Sequence, residues 1–211
     1  MDSAILVLRN LACGYEFPLL ELSLELGRGE HVVVYGPNGT GKTTLLKTVV
    51  GLIKPLSGEV LVLGKPPRRG TRVMRNIFYL PETVELPPYL RVGEYAKLVF
   101  DIYGERPDAQ RIKEGMKLFE LESLYGRKLG ELSQGQKRKV QLLVAYSLGR
   151  ELTVLDDPAI GIDDSGEELV RILVEELSEK GAVLVTSRNP IAGLNNVSIN
   201  EFKGAKPPSS F

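Results

Sequence analysis

Nine consecutive residues, Gly36-Pro37-Asn38-Gly39-Thr40-Gly41-Lys42-Thr43-Thr44, satisfy the pattern glycine, any four residues, glycine, lysine, then serine or threonine. Glycines let the backbone turn tightly, so that successive N–H groups point inward at anionic oxygens. An apolar run, His31–Tyr35, precedes the loop and an amphipathic stretch beginning near Lys42 follows it. The positive end of a helix is thereby added at the same point. Lys42 is placed to reach the β- and γ-phosphates of ATP, and the Thr43 hydroxyl to ligate Mg²⁺. All nine residues are candidate ATP contacts.

A phosphate loop alone serves kinases, GTPases, helicases and transport ATPases, so the choice among them falls to residues downstream. The segment Leu132-Ser133-Gln134-Gly135-Gln136 is followed by the apolar run Leu152–Leu155, which ends in Asp156 and Asp157. In order and spacing, these motifs together resemble the ATP-binding cassette (ABC) ATPases over nearly the whole chain. The resemblance implies that two cassettes meet head to tail, as a homodimer or a heterodimer. Each ATP would then lie between the phosphate loop of one cassette and Ser133, Gln134, Gly135 and Gln136 of the other. The chemistry is sound, because a helix N-terminus carrying serine and glycine favours an anion. The resemblance further implies that Asp156 and Glu82, with Thr43, hold Mg²⁺, that Asp163 communicates between the two sites, and that the Tyr15 ring stacks on adenine.

Three positions around the γ-phosphate depart from the family pattern. In Tyr79-Leu80-Pro81-Glu82 the last residue is glutamate where the family usually has glutamine. Asp157 follows the metal aspartate where the family has a glutamate general base, one methylene longer. Ser187, in Val183–Arg188, is assigned to the family's histidine position, and the chain's one histidine is His31. Asp157, Glu82 and Ser187 are the candidate catalytic residues. A positioned general base is worth about 10²–10⁴ in rate, so the expectation is tight ATP binding with slow hydrolysis. The Leu-Pro-Glu run also resembles cassettes of drug, lipid and polysaccharide exporters, which makes Glu82 a trait of that branch. In that branch, Pro87–Tyr95 would grip separate membrane-spanning permease subunits. The alternative is a soluble cassette that acts as a scaffold or regulatory partner.

The elements that must position these residues follow from periodicity. Strands are expected at Ile5–Leu8, Leu22–Leu26, His31–Tyr35, Glu59–Leu63, Asn76–Leu80, Leu152–Leu155 and Ala182–Thr186. Helices are expected at Lys42–Ile53, Val92–Tyr103, Ala109–Phe119, Gln134–Leu148 and Ser165–Lys180. The runs at 31–35, 76–80, 152–155 and 182–186 are apolar almost throughout, as strands covered by helices on both faces would be. The expected fold is an α/β P-loop NTPase core with a mostly parallel sheet, an N-terminal antiparallel β element and an inserted helical lobe, about Pro87 to Leu148. Residues 1–211 are expected to form a single ABC ATP-binding domain, with Lys206–Phe211 as a frayed end.

Bulk properties narrow the partners. Lysine plus arginine equals aspartate plus glutamate at 27 each, so no overall field steers the chain to nucleic acid. Cys13 is the only cysteine, which rules out an intrachain disulfide. The longest apolar runs are strand-sized, far short of a membrane span. A cytoplasmic protein is expected, held at the membrane face by its partner subunits.

Overall fold

The structure is a computed structural model that describes residues 4–83 and 85–202; Lys206–Phe211 lies outside them. Strands β1 (Leu6–Gly14), β2 (Pro18–Leu26) and β4 (Ser57–Val62) form an antiparallel sheet in the order β2-β1-β4. Strands β3 (His31–Tyr35), β5 (Ile77–Leu80), β6 (Leu152–Asp156), β7 (Ala182–Ser187) and β8 (Asn196–Ser198) form a parallel sheet in the order β5-β6-β7-β3-β8. Among the described residues five α-helices connect them: α1 (Lys42–Val49), α2 (Val92–Tyr103), α3 (Ala109–Leu118), α4 (Gln134–Leu148) and α5 (Gly166–Ser178).

Successive side chains on a strand point to opposite faces, and here the two faces belong to different cores. Val33, Leu155, Val183 and Val185 pack with Val140 and Val144 of α4 and with Val170 and Leu173 of α5. Their neighbours Val32, Val34, Val154 and Leu184 pack with Leu45, Leu46 and Val49 of α1 and with Leu6, Leu8, Leu20 and Leu22. Only one face is therefore covered by helices alone. The other is covered by α1 and by the antiparallel sheet beyond it, and this corrects the expectation of helices on both sides. The apolar residues of α2 and α3, including Ala96, Phe100 and Met116, join the first core.

Element ends also differ from the expectation. β1 continues six residues past Leu8 because its register shifts between Leu8 and Leu11, where Asn10 has φ 45°. The bulge lets Leu8 and Leu11 both face inward although they are three apart, which broke the alternation that marks a strand. Helix α1 stops at Val49, and Gly51 beyond it has φ 73°, a left-handed turn of the kind that ends helices.

His31 at the start of β3 ties the sheet to its surroundings. Its Nε2 accepts from the Asn195 backbone N–H at 3.2 Å, and its Nδ1 lies 3.3 Å from Ser178 Oγ. An accepting Nε2 requires the neutral ring. Burial lowers the His31 pKa below its ordinary value, with the charge of Glu175 opposing. A lowered folded-state pKa means that the unfolded chain binds the proton more readily. This stabilising contribution is complete above the unfolded-state value, about 6.5, and is lost as pH falls from there through the folded-state value. Acid-side melting curves should show this loss in the wild type and a flatter pH dependence in His31→Gln. Parallel curves for the two proteins would refute the assignment.

Candidate functional site

The parallel register aligns strand ends: Leu80 with Leu155, Asp156 with Thr186, and Tyr35 with Ser187. The segments just beyond these strands therefore meet along one edge of the sheet: the 36–41 loop after β3, Pro81-Glu82 after β5, Asp157 after β6 and Arg188 after β7. Carboxyl ends of parallel strands are the usual ligand crevice of such folds. Here Asn38, Gly39, Gly41, Lys42, Thr43 and Thr44 enclose a cavity of about 280 Å³ with Glu82, Asp156, Asp157 and Leu19.

The loop is tied by hydrogen bonds of its own and to β7. The Gly36 N–H donates to Ser187 O at 3.1 Å, and Thr40 Oγ1 donates to Pro37 O at 2.8 Å. Gly41 occupies the cap of α1 at φ 98°, with Leu19 Cβ only 3.2 Å from where a Cβ of its own would lie. Both conformation and space thus require glycine there. The first bond of the helix runs from Leu45 N–H to Gly41 O, so the amides of Lys42, Thr43 and Thr44 precede the ladder. Lys42 is buried, and its Nζ donates to Gly36 O at 2.5 Å and to Pro37 O at 2.9 Å. Burial lowers the Lys42 pKa, while Asp157, Asp156 and Glu82 favour its charge.

Opposite the loop stands Asp156, only 2% exposed. Its Oδ1 accepts from Thr186 Oγ1 at 2.6 Å, whereas Oδ2 is buried with no hydrogen-bond partner among the described residues. Asp157 follows at φ 43°, a left-handed conformation that aspartate tolerates better than most residues. Its N–H donates to Thr186 O at 3.1 Å, and its Oδ2 lies 3.4 Å from Arg188 Nε. Arg188 is thus the side chain after β7 that faces Asp157. Ser187, assigned there by sequence, uses its backbone carbonyl to hold Gly36 and borders a neighbouring cleft with Asp157 and Arg188.

Not all candidates gather at this cavity. Ser133, Gln134, Gly135 and Gln136 form the N-terminus of α4 and are absent from its lining. Ser133 Oγ accepts from Gln136 N–H at 3.2 Å, and Gln136 Oε1 accepts from Ser133 N–H at 3.0 Å, a reciprocal capping box. A Cβ on Gly135 would sit 2.7 Å from Gly161 O, so only glycine lets the 161 turn pass so close. Asp163 is occupied locally, its Oδ1 accepting from Ser165 N–H and Oγ. Those bonds hold its carboxyl below the ordinary range. Tyr15, in the β1–β2 turn, is largely exposed, as is Phe17; Leu19 is the residue of this hairpin that reaches the cavity.

One contributor escaped sequence reasoning altogether. Arg138, one turn into α4 and 4% exposed, directs its guanidinium under the acidic edge to the carbonyls of Pro81, Asp156, Asp157 and Pro158. Burial lowers its pKa to about 10, with Asp157, Asp156 and Glu82 opposing the shift.

Comparison with known proteins agrees with this geometry. A family model described as ABC transporter matches residues 19–160. A cytochrome c biogenesis ATP-binding export protein from Legionella pneumophila is 34% identical over 191 residues, covering 89% of this chain and 94% of that protein. An Fe(3+) ion import ATP-binding protein from Haemophilus influenzae is 30% identical over 183 residues, 85% of this chain and 56% of that one. Among solved structures, a chain from Pyrococcus furiosus described as the ATP-binding protein of an ABC transporter superimposes with a TM-score of 0.87. It is 38% identical, with 93% of this chain and 98% of that chain covered. The chain belongs to the ABC transporter family and is one of its ATP-binding ATPase subunits.

Proposed function

We propose that this chain powers an exporter whose permease subunits are separate chains, through ATP-driven head-to-tail pairing with a second cassette, and that its own turnover is slow. The observation that carries the reading is the separation of two anion-binding features. The loop cavity lacks Ser133–Gln136, while these residues cap an exposed helix end elsewhere on the chain. ATP held at the cavity then has an open flank that a second cassette's Ser133–Gln136 segment would close. Support for permease partners comes from the ATP-binding relatives, named for export and for import; among the described residues no helix is long and apolar enough to cross a membrane. The exposed Tyr89, Leu98 and Ile102 in and beside α2 supply an apolar docking surface for them. Export is favoured by the Leu80-Pro81-Glu82 run, while the relatives' names include both export and import. Residues 1–211 are read as one ABC domain, with the helical lobe about 87–148 joined to the sheet by a continuous apolar cluster.

In this reading, residues 36–44 wrap the phosphates, and Lys42 exchanges its loop carbonyls for β- and γ-phosphate oxygens. Tyr15 offers a ring to the base, and Asp163 lies on the turn that faces the opposite site. The residues fit Mg²⁺: Asp156 Oδ2 is buried and unpartnered on the same cavity as Thr43 and Glu82. Among the described residues no three acidic or imidazole side chains cluster tightly enough to cage a metal. Mg²⁺ needs few protein ligands where phosphates and water complete the octahedron. When bound, the ion would draw charge from the γ-phosphate and leaving oxygens.

Asp157 is the base available to accept a proton from attacking water, and its ion pair with Arg188 restrains it. Lengthening it tests the reading. Asp157→Glu should raise kcat about tenfold, while the left-handed backbone costs about 1 kcal/mol, or about 2–4 °C in Tm. Ser187→His, measured beside it, should change kcat less, because Arg188 holds the facing position. Light scattering should show an ATP-dependent dimer of the wild type, alone or with its partner cassette. Fast wild-type hydrolysis without any such dimer would overturn the proposal.

A further inference from the structure

The five N–H groups of Arg138 all find acceptors. Nε donates to Pro158 O at 3.0 Å. Nη1 donates to Pro81 O at 2.9 Å and to Gln141 Oε1 at 3.1 Å. Nη2 donates to Asp156 O at 2.8 Å and to Asp157 O at 3.0 Å. That exhausts the donor capacity of a guanidinium. Four of the five acceptors are main-chain carbonyls of, or next to, the three acidic residues on the cavity: Glu82, Asp156 and Asp157. They come from the ends of two strands, β5 and β6, joined here by one side chain of a third element. Among the described residues Arg138 makes no ion pair. A buried charge is a poor device for stability alone, since an apolar residue of similar volume does as well or better. A planar fork, by contrast, fixes the positions of several carbonyls at once, which a lysine ammonium cannot do.

Resting on the function proposed above, we infer that Arg138 is a positioning residue for hydrolysis: it sets the spacing of the Glu82, Asp156 and Asp157 edge against bound ATP and metal. It also couples that edge to Ser133–Gln136, since Arg138 lies on α4 two residues beyond Gln136. A shift of the edge on hydrolysis is thereby transmitted to the helix end offered to the opposite site. Arg138 contacts no residue of the 36–44 loop through these bonds, so ATP affinity is set without it.

The test compares wild type, Arg138→Lys and Arg138→Met, with melting curves establishing that each is folded. Affinity for a fluorescent ATP analogue without metal should stay within about threefold in both, because misplacing the edge leaves the loop intact. The kcat should fall about 10²-fold in Arg138→Met and about tenfold in Arg138→Lys, the loss that misplacement by about 1 Å brings. Mn²⁺ affinity of the nucleotide complex, read by paramagnetic resonance, should weaken with kcat. A folded Arg138→Lys with wild-type kcat and Mn²⁺ affinity overturns the inference. So does a fall in nucleotide affinity as large as the fall in kcat, which would mark a merely structural role. Should the methionine variant not fold, the lysine variant decides. A wild type that neither binds nor hydrolyses ATP overturns the proposed function and this inference with it, whereas equal turnover in wild type and Arg138→Lys overturns this inference alone.

Discussion

Lys42→Met should weaken ATP binding at least about a hundredfold while leaving the protein folded. Lys42 Nζ is buried among Gly36 O and Pro37 O on one side and the cavity on the other. Bound phosphates would take the place of those carbonyls. Removing one partner of a buried, hydrogen-bonded charge pair costs about 2–5 kcal/mol, and each 1.4 kcal/mol is tenfold in affinity. The methionine keeps most of the volume beneath the loop, so packing there survives. Two carbonyls then lose a donor, but their residues, Gly36 and Pro37, border an open cleft beside the loop. Titration with a fluorescent ATP analogue gives the readout, and a Kd within threefold of wild type would contradict the placement of phosphate at this loop. ADP affinity should fall less than ATP affinity, because it offers Lys42 no γ-phosphate oxygen.

That loop was legible in the sequence because its function depends on backbone shape, and glycine positions record backbone shape directly. Strands β3, β6 and β7 were legible for a related reason: burial on both faces leaves few polar positions. β1 was cut short because the bulge at Asn10 puts two polar residues between inward-facing leucines. β8, three residues beside β3, is held by pairing to Val33–Tyr35 and has too few positions to show a period. The acidic edge was only half legible. Asp156 and Asp157 announce themselves at a strand end, but which side chain after β7 faces them depends on where that strand stops, and Arg188 rather than Ser187 makes the contact. Arg138 left no trace at all. In Lys137-Arg138-Lys139 nothing in residue type tells that Arg138 is buried against carbonyls while Lys139 reaches Glu120. Its partners are main-chain atoms, which carry no sequence signature.

Asp156→Asn should abolish metal-dependent hydrolysis, by about 10³-fold or more, without lowering the melting temperature of the metal-free protein. The two halves of this expectation come from the two oxygens of one carboxylate. Oδ1 is satisfied by Thr186 Oγ1 at 2.6 Å, and the asparagine carbonyl can accept the same bond. Oδ2 is buried without a partner among the described residues, beside Asp157 and Glu82 on the same cavity. An unsatisfied buried polar atom costs about 1–3 kcal/mol, more when charged, and neighbouring carboxylates add repulsion. Asparagine removes the charge at constant shape, so the metal-free fold sheds that cost, which offsets the attraction to Lys42 and Arg138 that goes with the charge. What it cannot do is ligate a hard divalent cation as a carboxylate does. Lewis-acid stabilisation of the phosphoryl oxygens, worth several kcal/mol, goes with the ligand, and about 4 kcal/mol corresponds to a 10³-fold loss in rate. Measured together, a maintained or raised Tm and a collapsed kcat identify a residue kept for chemistry at the expense of stability. A lowered Tm with a proportionate loss of activity would instead make Asp156 a structural member of the sheet end, and hydrolysis within tenfold of wild type would remove it from the metal site.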